Sequence, residues 1–69
     1  MILDLTKAVK IDEWEDWIYV WYPFDEDLYV YLKTGEWDGL FLGGRRIEIE
    51  TKNVKRVGDW ILTVCRKKS

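Results

Sequence analysis

The sequence predicts an all-β fold: a small single-domain antiparallel sheet or partly closed barrel, SH3-like or OB-like, built from five to six short strands. Three observations carry this expectation. Apolar residues alternate at period two in "IYVWY" (18–22), "LYVYL" (28–32), "LFL" (40–42), "IEI" (47–49) and "WILTV" (60–64). These segments are rich in β-branched and aromatic residues. Turn signals built on Gly, Pro and Asp separate them.

Taken in order, residues 12–16 are expected to form one helical turn, because Asp12 followed by Glu15 resembles a capping box. Ile11, Trp14, Ile18 and Trp21 or Tyr22 would extend that turn as a helical stripe ended by Pro23. The five consecutive β-favouring residues of "IYVWY" outweigh the two cap signals, so 17–22 reads as a strand. "YPFDED" (22–27) is expected to join it to a second strand at 28–32. "KTGEWDG" (33–39) and "LGG" (42–44) supply glycine for the next connections. "VGD" (57–59) is a tight-turn candidate before the last strand. Residues 1–65 form the domain on this reading, and the basic 66–69 form a frayed tail.

A chain of 69 residues buries only about 60% of its unfolded surface. Chains of this size need a disulfide, a metal, a partner or a rich core. Cys65 is the only cysteine, which excludes an internal disulfide, and there is no His to help build a structural zinc site. A rich core or self-association remains. No basic leader precedes an apolar run, and the longest apolar run is far below a membrane span, so a soluble, intracellular (cytoplasmic) protein with no membrane association is expected. Gln is absent and Asn53 and Ser69 stand alone of their kinds, while Glu and Lys are plentiful, a composition that fits a thermophilic source, archaeal or viral.

Charge divides along the chain. Residues 1–32 hold eight acidic side chains against Lys7 and Lys10, whereas residues 33–69 hold nine basic ones against five acidic. Such a split marks either a nucleic-acid face or two faces that meet in an assembly, unless strand pairing interleaves the halves. The chain also echoes itself: "LTKAVKIDEWEDWIYVW" (5–21) and "ETKNVKRVGDWILTV" (50–64) share T-K-x-V-K followed by D-W-I. This suggests two similar strand–turn–strand units about a pseudo-two-fold axis. In the second copy Trp60, Leu62 and Val64 form the more apolar face, so they are expected to point inward, and Trp17, Tyr19 and Trp21 with them. The expected core is then Trp17, Tyr19, Trp21, Leu28, Val30, Leu32, Leu40, Leu42, Ile47, Ile49, Trp60, Leu62 and Val64. Ile18, Val20 and Tyr22 would form a second apolar face that needs cover, the candidate self-association face.

Catalytic chemistry finds little support. Without His the commonest general base is missing, and Ser69 lies in the tail. "DEWED" and "DED" lack the spacing and glycine of a calcium loop. "FLGGRR" lacks the Lys-Ser/Thr ending of a phosphate loop. Cys65 on a strand reads as a small buried residue. No enzymatic activity, cofactor or metal is expected. A non-enzymatic interaction module that self-associates as a dimer is the leading expectation, with a foreign protein as a further candidate partner. The alternative is a nucleic-acid-binding barrel. Tyr29, Tyr31 and Lys33 would be displayed on one strand face, and Arg45, Arg46, Lys52, Lys55 and Arg56 would contact phosphates. "VYLKTGEWDGLFL" and "VGDWILTV" resemble the two motifs of Sm-like barrels, but their separation is too short and the expected Asn is missing, so membership does not follow.

Overall fold

The computed structural model describes residues 1–69. Five strands, β1 (Lys10–Trp14), β2 (Trp17–Pro23), β3 (Gly39–Leu42), β4 (Arg45–Val57) and β5 (Trp60–Lys67), and one helix, α1 (Glu26–Thr34), make up the fold. The strands form one antiparallel sheet in the order β1-β2-β5-β4-β3 that curls into a half-barrel. Strand β4 is 13 residues long, and its register shifts between Ile49 and Thr51. That bulge bends the strand, so its start pairs with β3 and the rest with β5. The curl carries β1 toward the start of β4, where Arg45 Nη2 lies 3.3 Å from Glu13 Oε1. No helix is long and apolar enough to cross a membrane.

Tight turns set the hairpins where the sequence signals them. Gly43 and Gly44 take φ of 61° and 77°, the left-handed pair a two-residue hairpin loop requires. Gly58, at φ 60°, turns β4 into β5. The β1–β2 turn is built the same way, but Glu15 occupies the left-handed position at φ 53°. Residues 12–16 are therefore the end of β1 and a hairpin turn, not the expected helical turn. Trp14 pairs directly with Trp17 across it, and this pairing outweighs the local cap signal.

The expected strand at 28–32 is instead part of α1. Asp25 caps the helix by accepting a hydrogen bond from the Leu28 amide at 3.0 Å. Glu26 and Asp27 occupy the positive first turn and Lys33 the negative last turn. Leu28 and Leu32, four apart, fall on one helical face. Leu32 is fully buried and Leu28 packs against the core. Val30, expected in the core, is 52% exposed. "YPFDED" thus ends β2 and starts a helix, and β2 pairs with β5.

The core lies between α1, the N-terminal segment and one face of the sheet. Ile18, Val20 and Tyr22 from β2, and Ile61, Thr63 and Cys65 from β5, show no exposed surface. Leu40, Ile47 and Ile49 are buried as expected, and Leu42 packs at the margin. Trp37 is buried beside α1, and its indole N–H donates to the Leu32 carbonyl at 3.0 Å. Lys52 closes this corner. Its Nζ sits 4.2 Å from the Trp37 ring centre and donates to the carbonyls of Gly35 and Trp37 at 2.7 and 2.8 Å. The expected facing of β2 and β5 is inverted: Trp17, Tyr19, Trp21, Trp60, Leu62 and Val64 point away from this core. Arg66 and Lys67, expected in a frayed tail, continue β5.

The internal echo has a structural counterpart in its second half. The β1–β2 and β4–β5 hairpins turn 43 residues apart, with Asp16-Trp17-Ile18 and Asp59-Trp60-Ile61 in equivalent places. Their second strands pair antiparallel, and Val20, whose equivalent 43 residues on is Thr63, stands opposite Thr63. A local pseudo-two-fold axis therefore passes through the Val20–Thr63 pair. The T-K-x-V-K half of the echo is offset by 45 residues and falls out of this symmetry.

Candidate binding face of the sheet

Residues paired across antiparallel strands share a face, so the register of β1, β2, β5 and β4 lays out the uncovered side of the sheet in four rows. Trp14, Trp17, Arg66 and Thr51 form the first. Asp12, Tyr19, Val64 and Asn53 form the second. Lys10, Trp21, Leu62 and Lys55 form the third. Pro23, Trp60 and Val57 form the last. Four of the five tryptophans stand on this face. Trp14 is 67% exposed and Trp60 44%, and Val57 and Trp17 are also exposed. Tyr19, Trp21, Leu62 and Val64 are half-buried. A contiguous apolar patch on a monomer marks a surface meant to be covered.

Two clefts open on it. One, of about 370 Å³, is lined by Val9, Lys10, Trp21 and Trp60. The other, of about 470 Å³, is lined by Trp17, Thr51, Lys52, Asn53, Lys55 and Val64. A shift of 43 residues in either direction carries all four residues of the first cleft onto Lys52, Asn53, Val64 and Trp17 of the second. The clefts are therefore equivalent under the pseudo-two-fold axis.

Although the chain carries a net charge of −2, these four rows hold the cations Lys10, Lys55 and Arg66 against the single anion Asp12. Lys10 Nζ lies 3.6 Å from Asp12 Oδ2. The Arg66 guanidinium lies 5.8 Å from the centre of the Trp17 ring. At the end of β1, Glu13 faces the other side, where the Lys67 ammonium and then the Arg45 guanidinium hold its carboxyl below the usual range.

The residues expected to form sites are placed differently. Ile18, Val20 and Tyr22 cannot meet a partner, because they are fully buried within the chain. The Tyr22 hydroxyl donates to the Asp4 carbonyl at 3.0 Å, and burial raises its pKa. Tyr29 and Tyr31 are half-buried on α1, not displayed on a strand. Lys33 lies over the Tyr29 ring at 5.2 Å. Arg45 is paired with Glu13, and Arg46 stands opposite Phe41 on the β3–β4 ladder. Arg56 stacks 3.8 Å from the Phe24 ring centre and donates to the Gly58 carbonyl. The eight residues of the expected nucleic-acid set thus share no single surface, and Lys55 alone among them stands in the four rows.

Burial pushes the Cys65 thiol up to about 12, so it stays protonated and unreactive at neutral pH. Nowhere do three His, Cys, Asp or Glu side chains gather to hold a metal ion. Sequence reasoning assigned none of the open face's aromatic residues to a site: Trp17, Tyr19, Trp21 and Trp60 were expected in the core, and Arg66 in the tail. Their signal was the apolarity of β2 on both sides, combined with side chains too wide for a core beneath one short helix. The chain matches no protein-family model, no curated protein and no solved structure. Fold and face define the class on their own: a small all-β half-barrel of the SH3-like or OB-like kind, covered on one side by a helix and bare on the other.

Proposed function

We propose that this protein is a non-enzymatic interaction module that self-associates through the open face of its sheet. One observation carries the reading. The four longest-paired strands present Trp14, Trp17, Tyr19, Trp21, Trp60 and Leu62 on a side that no element of the chain covers. Tryptophan and tyrosine with arginine at hand are the composition of interface hot spots. By strand geometry the face spans roughly 19 Å by 27 Å, or about 500 Å² per copy. A face-to-face pair would bury about 1,000 Å², the size at which a specific interface begins. Sedimentation of the purified chain tests the reading. A dimer that Trp17→Glu converts to a folded monomer supports it, and a strict monomer at high micromolar concentration removes it.

A second reading is favoured by Lys10, Lys55 and Arg66 standing among the tryptophans. A single strand of nucleic acid could stack its bases there and place its phosphates on the three cations. Titration of a fluorescent single-stranded oligonucleotide at low salt, with Trp17→Ala and Lys55→Ala as controls, separates it from self-association. Binding that weakens in both variants favours nucleic acid, and no binding at low salt leaves the first reading alone.

A further inference from the structure

We infer that the open faces of two copies pack as an isologous sandwich whose two-fold axis runs across the strands, seating Trp14 of each copy in the cleft formed by Val9, Lys10, Trp21 and Trp60 of the other. The inference rests on the self-association proposed above and specifies its geometry.

Stacking a face on itself requires a two-fold axis lying between the sheets. Aligned sheet packing leaves two choices, along the strands or across them. An axis along the strands keeps each row over itself and exchanges β1 with β4. It sets Lys10 of each copy against Lys55 of the other, a repulsive contact made twice in the third row. An axis across the strands keeps each strand over itself and exchanges the first row with the last and the second with the third. It sets Asp12 against Lys10, Arg66 against Trp60, Tyr19 against Trp21 and Val64 against Leu62. Each of these is an attraction or an apolar contact. Lys10 is already 3.6 Å from Asp12 within its own chain, so the four charges of two copies would alternate in sign at the seam.

The same operation brings the first-row end of β1 over the last-row end of β1 in the other copy. Trp14, the most exposed large apolar side chain of the chain at 67%, then meets the 370 Å³ cleft floored by Trp21 and Trp60. The acidic Glu15 and Asp16 beside it approach the Lys10 that borders that cleft. An aromatic anchor in a pocket with opposite charge at the rim is the arrangement that hot spots favour.

Sedimentation equilibrium on the full chain tests this with three variants at exposed positions, each checked for fold by circular dichroism. Trp14→Ala is expected to weaken the dimer at least about tenfold by emptying the cleft. Lys10→Glu is expected to weaken it about tenfold by placing two carboxylates together. The alternative axis makes the opposite forecast for Lys10→Glu, since a new carboxylate would then face Lys55 and tighten the dimer. Wild-type affinity in Trp14→Ala, or a tighter dimer in Lys10→Glu, overturns this geometry. If Trp17→Glu still dissociates that dimer, self-association through the face survives without it. A wild-type chain that is monomeric throughout overturns both.

Discussion

The two faces of this sheet are made by the same strands from alternate residues, yet they differ in kind. The covered face of β2 and β5 carries Ile18, Val20, Tyr22, Ile61, Thr63 and Cys65, all without exposed surface. The open face of the same strands carries Trp17, Tyr19, Trp21, Trp60, Leu62 and Val64, no less apolar and far bulkier. Hydrophobicity alone therefore did not choose the core. The chain has one nine-residue helix and a short N-terminal segment to lay over the sheet, and these close over side chains that, Tyr22 apart, are small or branched. A row of indoles would hold them off. The wide aromatic residues are left on the side where a flat, extended partner could lie. One face thus fixes the fold, and the other is left exposed.

The largest expected effect is on the covered face. Ile61→Ala should cost ~2–5 kcal/mol of stability, a large share of the ~3–10 kcal/mol typical of a domain this size. Trp17→Ala on the open face should change monomer stability by ~1 kcal/mol or less while weakening association. Urea denaturation at low protein concentration checks both, and equal losses at the two sites would break the distinction between the faces.

The next prediction uses pH. The folded Cys65 thiol keeps its proton up to about 12, whereas an unfolded thiol releases its own near 9. Its contribution is therefore complete below pH 9 and is lost as pH rises toward about 12. At ~1.4 kcal/mol per unit the loss across that window is on the order of 4 kcal/mol. Tyr22, also raised by burial, acts in the same direction at still higher pH. Urea midpoints should fall from pH 8 to 10.5, and Cys65→Ala should flatten the first part of that fall. No pH dependence in the wild type would contradict the burial of the thiol.

Smaller gains should come from two irregularities. The Thr63 hydroxyl is buried without a hydrogen-bond partner, at the centre of the covered face beside Val20. Thr63→Val keeps the shape and removes the orphaned group, so stability should rise by ~1–2 kcal/mol in thermal melts. Glu15 holds a left-handed φ that its counterpart Gly58 adopts without a Cβ. Glu15→Gly should stabilise the first hairpin by up to ~1 kcal/mol, and Gly58→Ala should destabilise the second by a similar amount. Together these would sharpen the likeness between the two hairpins.

Much of the sheet was legible in the sequence. Alternation located β2, β3, β5 and the start of β4, and glycine located the turns at 43–44 and 58. The "DWI" echo marked two hairpins that the structure relates by a pseudo-two-fold axis. Among the features not read correctly, three have a clear physical reason. "LYVYL" has strand-like composition, but Asp25, Glu26, Asp27 and Lys33 supply a cap and dipole-matched ends, and Leu28 and Leu32 meet the core at helical spacing. Strand β1 was hidden because Asp12 and Glu13 interrupt any apolar alternation. The facing of β2 could not be read from its own residues, since both sides are apolar and the choice depends on α1 and the N-terminal segment, far away in sequence. For the candidate site, the same inversion exchanged the free residues with the buried ones. Trp17, Tyr19 and Trp21 were thereby placed in the core, though they stand on the open face.

A second copy of the chain is the proposed cover of the open face. Light scattering coupled to gel filtration, on the wild type and on Trp17→Glu at high micromolar concentration, tests it most directly. Twice the 8.4 kDa chain mass is expected for the wild type, and a folded species of single chain mass for the variant. A wild-type chain that runs at its single mass throughout, or a variant as dimeric as the wild type, would contradict it.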